Sequence, residues 1–270
     1  MNFKFLLVLL FFTLSMWAKE RIVSLSPSVT EIVYALGAGE ALVGTTSYSL
    51  YPKAAQKLPV IGSYVGIDIE KAVSLHPTLV IAQEFQNDAA RKLSTFGIEI
   101  LRVDLHSINS IESSILKMGK RLHREKKAKE LVKKIESAKK NAKKSSYKKR
   151  VLVVFGLRDN LKGGIYVSGN HLFYDEILHI CGDENAFDDP TIAQPVLNYE
   201  HIVALDHDAI LILHSKASNP NGDIKRALHV WKSLPVKAAR KGDIHIIDDD
   251  YIDIPSHRIA LTIERICKEL

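Results

Sequence analysis

The sequence predicts an α/β protein of two lobes. Each lobe holds a short, mainly parallel sheet, one long connecting α-helix joins them, and a ligand cleft lies between. Three observations carry this prediction. First, residues 66–82 (GIDIEKAVSLHPTLVIA) and 197–213 (LNYEHIVALDHDAILIL) are similar phrases about 130 residues apart. Each reads as a short apolar helix opened by a carboxylate, a tight turn and an all-apolar strand. Second, strand-length apolar runs alternate with helix-length ones, the pattern of βα units and a parallel sheet. Third, residues 107–144 contain no proline and a single glycine, Gly119. A chain that builds one unit twice around such a segment forms two lobes facing a cleft, where small molecules usually bind.

Taken in order, residues 21–25 form a strand. A serine, a proline and Glu31 then open a helix that Gly37 closes. A strand over 42–46 follows, then a turn-rich loop (47–52), a strand or edge at 59–62 and a loop at 63–66. The first repeat supplies a helix over 69–75 and a strand over 79–82, before a helix over 89–96 and a strand over 99–103. One long helix is expected over 107–144, with any break near Gly119. The second lobe opens with a strand up to residue 155, a Gly-rich loop with a short strand (163–169) and a helix over 172–180. The second repeat gives a helix (200–204) and a strand (209–213). Short helical pieces at 230–234 and 236–240, a strand at 244–247 and a closing helix over 255–270 complete the chain. The expected boundaries are 19–106, 107–147 and 148–270, after a leader over 1–18.

That leader begins with one lysine, runs through about ten apolar residues and ends on the small residue Ala18. It reads as a signal peptide cleaved near Ala18, because the run is short of the ~20 residues that span a bilayer. The protein is therefore expected outside the cytoplasm. No cysteine follows the apolar run, so a lipid-anchored N-terminus is not expected. Two cysteines, Cys181 and Cys267, are an even count in an exported chain and suggest one disulfide, with two buried thiols as the alternative. The net charge of +6 is uneven: residues 117–150 hold sixteen Lys or Arg against three Glu. The apolar residues Ile115, Met118, Leu122, Leu131, Val132 and Ile135 recur there at helical spacing, and no aromatics interleave between residues 117 and 146. A solvated helix face explains the charge better than nucleic-acid binding.

Five phrases then resemble, in order, one family: residues 21–27 (RIVSLSP), 47–52 (SYSLYP), 66–82, 178–187 (LHICGDENAF) and 258–267 (RIALTIERIC). The chain is similar to the helix-spine periplasmic substrate-binding proteins of ABC importers, which carry cobalamin, haem and ferric siderophores, and most of all to the cobalamin-binding members. The resemblance implies a monomeric periplasmic protein with no intrinsic cofactor, which captures a metal chelate (cobalamin, ferric siderophore or haem) and delivers it to an inner-membrane ABC permease dimer. It adds to the case for a Cys181–Cys267 disulfide. It implies that Glu70 and Glu200, at equivalent places in the two repeats, dock onto permease arginines. It also places ligand-binding residues on the cleft loops. The candidates are Ser26, Tyr48, Tyr64 and Phe85 in the first lobe, and Tyr166, Gln194, Tyr251, His257 and Arg258 in the second.

Aromatic rings bury flat ligands at low entropic cost, and a guanidinium fork suits a carboxylate or an anionic chelate. The cobalamin-binding clefts are rich in tryptophan. This chain, beyond its leader, has only Trp231, with Tyr64, Gln83, Gln194 and Tyr251 on the matched loops. Tyr251 and His257 are the candidates to ligate iron if the cargo is an iron chelate or haem. The acidic run 248–250 reads as a solvated turn, and the eleven histidines form no tract. Two other classes remain as alternatives: a secreted binder of a free transition metal, and a two-lobed hydrolase. The second lacks a Gly-x-Ser-x-Gly elbow and a Gly-x-x-x-x-Gly-Lys-Ser phosphate loop.

Overall fold

A computed structural model describes residues 20–63, 65–158, 160–189, 191–215 and 222–270. The leader over 1–18 and Tyr64 lie outside the described residues. The first lobe contains β1 (Ile22–Ser24), α1 (Pro27–Ala35), β2 (Leu42–Gly44), α2 (Ile69–Ser74), β3 (Leu79–Gln83), α3 (Asn87–Ser94) and β4 (Glu99–Val103). Its sheet has the order β2-β1-β3-β4 and is parallel throughout. The edge expected at 59–62 is only an isolated parallel bridge between Thr45 and Val60.

The connection departs from the single helix expected over 107–147. It consists of α4 (Ile108–Arg121) and α5 (Glu125–Asn141). The break falls not at Gly119 but just beyond it, where His123 takes a left-handed φ of 54°. The cause is polar patterning: residues 123–127 are five consecutive polar side chains, so the apolar stripe lapses for more than a turn. The two helices fold back on each other. Lys139 Nζ lies 3.2 Å from Glu112 Oε1 at the open end. Near the turn a Cβ on Gly119 would come 2.4 Å from the Ala128 Cβ. Gly119 therefore serves close helix contact rather than the bend.

The second lobe holds β5 (Arg150–Phe155), β6 (Ile165–Tyr166), α6 (Phe173–Cys181), β7 (Glu184–Asn185), β8 (Val196–Leu197), α7 (Tyr199–Ala204), β9 (Ala209–His214), α8 (Ile224–Lys232), α9 (Lys237–Lys241), β10 (Ile244–Asp248) and α10 (Ile259–Glu269). Its main sheet, β10-β9-β5-β7, is also parallel throughout. Read from the other edge it has the order of the first lobe, with β7, β5, β9 and β10 standing where β2, β1, β3 and β4 stand. The repeated phrase thus occupies the same place in both sheets: α2 leads into β3 and α7 into β9. A small antiparallel ribbon pairs Ile165 with Leu197 and Tyr166 with Val196.

Alternate strand residues face opposite sides of each sheet, and both sides are covered, as parallel sheets require. Val23, Val80 and Ala82 pack with α2 and α3 on one face of the first sheet. Leu152, Val154, Ile210 and Ile212 pack with Ile202 of α7, Trp231 of α8 and Ala238 of α9 on the matching face of the second. The other faces share one apolar cluster, in which Ile22, Leu79 and Ile81 join Val151, Val153 and Leu211 through α4, α5, α6 and α10. Cys181 at the end of α6 is disulfide-bonded to Cys267 in α10, with Cα atoms 5.0 Å apart. Among the described residues, no helix is long and apolar enough to cross a membrane.

Candidate functional site

In parallel sheets, ligands lie in the crevice beyond the carboxyl ends of the strands, at the point where the strand order reverses. In the first lobe that point falls between β1 and β3. Loops beyond the carboxyl ends carry most of the expected ligand residues. Four rings are substantially exposed: Tyr48 (56%) and Tyr51 (41%) after β2, Phe85 (57%) after β3, and Tyr166 (47%) on β6. Gln194 is exposed just before β8, flanked by the exposed Ile192 and Val196. Exposed apolar and aromatic groups clustered on loops of this kind mark binding surfaces.

Three expected ligand residues are placed otherwise. Ser26 is fully buried. Its Oγ accepts the Val29 N–H at 3.3 Å and caps α1, so the side chain faces the helix and not the cleft. His257 is largely covered, and its Nδ1 is buried without a partner. Burial, together with the cations Arg258 and Lys134, lowers its pKa to about 4, so the ring is neutral at neutral pH. Arg258 is 7% exposed and already engaged. Its Nε donates to Glu31 Oε2 at 2.9 Å, its Nη2 donates to Glu31 Oε1, and its Nη1 donates to Asp250 Oδ1 at 2.8 Å. Ser256 Oγ donates to Glu31 Oε2 at 2.6 Å. The Arg258 guanidinium lies 4.0 Å from the Tyr51 ring centroid and 5.5 Å from that of Tyr251.

This cluster joins the first lobe (Glu31 on α1 and Tyr51 after β2) to the loop between β10 and α10. Sequence reading missed Glu31, Tyr51, Ser256 and Asp250 as its members. Burial raises the Glu31 carboxyl, against the opposing effect of Arg258 and Ser256. Burial and the neighbouring Asp249 and Asp250 raise the Tyr251 phenol, which disfavours the phenolate that would bind iron. Among the described residues no group of three His, Cys, Asp or Glu side chains could hold a metal ion.

A further missed residue is Arg158, after β5. It lines a cavity of about 110 Å³ with Leu157, Asn160, Gly163 and Gly164, and its Nε is buried without a hydrogen-bond partner. A signal for it existed, since it is a lone cation beyond the carboxyl end of a predicted strand. A larger cavity of about 250 Å³ is lined by Arg150, Asn170, Asp175, His179, Glu184 and Asp188.

Glu70 and Glu200 occupy matching positions. Each is exposed and is the second residue of a six-residue helix. The residue before each helix caps it: Asp68 Oδ1 accepts the Lys71 N–H at 2.9 Å, and Asn198 Oδ1 accepts the His201 N–H at 2.8 Å. Both helices pack on the sheet faces opposite the α4–α5 hairpin.

Two parallel sheets of matching order, helical connection and a loop-lined crevice define a two-lobed substrate-binding protein. The chain belongs to the periplasmic binding protein family, whose model matches residues 22–251. It is 30% identical to the vitamin B12-binding protein of Salmonella choleraesuis, over 98% of this chain and 96% of that one. It is 27% identical to that of Yersinia pestis, over 96% and 89%. Among solved structures it resembles the apo periplasmic haem-binding protein of Roseiflexus sp. RS-1, with a TM-score of 0.78 and 25% identity over 93% of this chain and 98% of that one. It shares its fold with the periplasmic vitamin B12-binding protein of Vibrio cholerae, with a TM-score of 0.72 and 23% identity over 93% and 96%. Members of the family are binding proteins rather than enzymes.

Proposed function

We propose that this protein is the periplasmic component of an ABC importer for a bulky, flat metal chelate, and that its cargo is a corrinoid such as cobalamin. The observation that carries the reading is the set of exposed rings on the cleft loops, Tyr48, Tyr51 and Phe85 on one lobe and Tyr166 on the other. Rings placed this way grip a broad ligand through its faces and edges. The names of the relatives at 27–30% identity support vitamin B12 as cargo. Haem is the second reading, favoured by the name of the Roseiflexus structure. Against it, the largely covered ring of His257 and the raised phenol of Tyr251 are poor partners for ferric iron. Arg158, with its unpartnered Nε, supplies a cation for an anionic group of the cargo. The protein is exported, with its leader removed near Ala18, and acts as a monomer.

The test mixes purified protein with hydroxocobalamin, haemin or a ferric catecholate and follows retained absorbance after gel filtration. Hydroxocobalamin is expected to co-elute at one per protein. Retention of haemin alone reassigns the cargo, and retention of none of the three refutes the reading. Glu70 and Glu200 serve as the permease contacts, one from each lobe, which suits a symmetric permease dimer. Reversing both (Glu70→Lys with Glu200→Lys) is expected to abolish uptake in cells while leaving cargo affinity in solution unchanged. Uptake at the parent rate would remove the docking role.

A further inference from the structure

The cluster around Arg258 touches both lobes, yet its charged groups are satisfied without any cargo. Glu31 is 3% exposed and Arg258 7%, and 227 residues separate them. Arg258 offers both edges of its guanidinium, one to Glu31 of the first lobe in a two-point grip and the other to Asp250 of its own loop. Ser256 adds a third hydrogen bond to the same carboxylate. Tyr51, from the first lobe, lies over the guanidinium at 4.0 Å and shields it from water.

We propose that Glu31 and Arg258 form a latch between the lobes, a pair of positioning residues that sets the separation at which the opposing aromatic loops meet cargo without touching it. The latch rests on distances and burial alone, while its effect on cargo rests on the binding reading above. The physical argument concerns what a buried ion pair contributes. Its net stability is small, since apolar residues of similar volume do as well or better in its place. What an apolar pair lacks is direction. A two-point guanidinium–carboxylate grip fixes distance and angle together. Here it spans the two halves of a cleft rather than the interior of one lobe. The four rings sit on the two lobes that this pair joins, so a relaxed latch lets the two sets of rings drift apart. Cargo would then be captured at a similar rate and held less long.

The test compares the parent with a double variant, Glu31→Leu with Arg258→Met, which fills the volume without the grip. Spin labels go on exposed sites of α3 and α8 (Lys92→Cys and Lys232→Cys), with the native disulfide left oxidised. The double variant is expected to melt at or above the parent temperature, to show a broader inter-lobe distance distribution without cargo, and to release hydroxocobalamin about tenfold faster at a similar capture rate. A distribution as narrow as the parent's overturns the latch. A broad distribution with unchanged release overturns its role in holding cargo. If the double variant does not fold, Arg258→Lys, which keeps the charge but loses the two-point grip, must broaden the distribution, and an unchanged one overturns the proposal. The distance measurement needs no cargo, so a protein that binds none of the tested chelates refutes the functional reading while leaving the latch to stand or fall by itself.

Discussion

At the scale of single residues, the site is decided by which polar groups are already occupied. Ser26, His257 and Arg258 are the right types for ligand contact, and their chain positions point to the cleft. Local chemistry claims them first: a helix cap, a covered ring and a two-carboxylate grip. The cap on Ser26 is readable from local spacing, but the grip on Arg258 is not, because Glu31 and Arg258 meet only through the tertiary fold. The neutral His257 has a consequence for pH. Its folded pKa of about 4 lies below the unfolded 6.5, so the unfolded chain takes up the proton first as pH falls. The stability this provides is complete above pH 6.5 and is lost as pH falls toward 4. At pH 5 the loss amounts to about 2 kcal/mol. His257→Leu removes that contribution, so its melting temperature should fall less than the parent's between pH 7 and pH 5. Equal falls in the two proteins would show that the ring titrates normally in the folded state.

At the scale of elements, the repeat was legible and the connection was not. The strands of the two repeated phrases are continuous apolar runs because both faces of each sheet are covered, and such runs stand out in sequence. β7 and β8 are two residues each, too short to carry a pattern. The absence of proline and near-absence of glycine predict one helix for the connection. The stronger signal was the lapse of the apolar stripe over 123–127, which turns the chain as surely as a proline would. Gly119 is the contact that lets α4 and α5 approach, not the point of the break. Gly119→Val places methyl groups against Ala128, and overpacking of this kind costs about 1–3 kcal/mol. Urea denaturation should show a lower midpoint at a similar slope. An unchanged midpoint would mean the hairpin can open at no cost.

At the scale of the whole molecule, the charge and the core are arranged differently. The lysine-rich hairpin and the two candidate docking helices lie against opposite faces of the sheets, so the basic surface is kept away from Glu70 and Glu200. The disulfide clips α10 to α6 within the second lobe, far from the exposed rings. Replacing both cysteines (Cys181→Ala with Cys267→Ala) is expected to lower stability by roughly 2–4 kcal/mol while cargo affinity stays the same. Calorimetry beside a titration checks both halves, and a weakened affinity would mean that the clip shapes the cleft.

The apolar cluster that runs from the first sheet through the hairpin into the second leaves neither lobe with a complete interior of its own. Melting should accordingly be cooperative across the full chain, with one calorimetric peak rather than two. Mild proteolysis should trim loops without liberating a stable half, and splitting this protein into separately expressed lobes should yield fragments that aggregate.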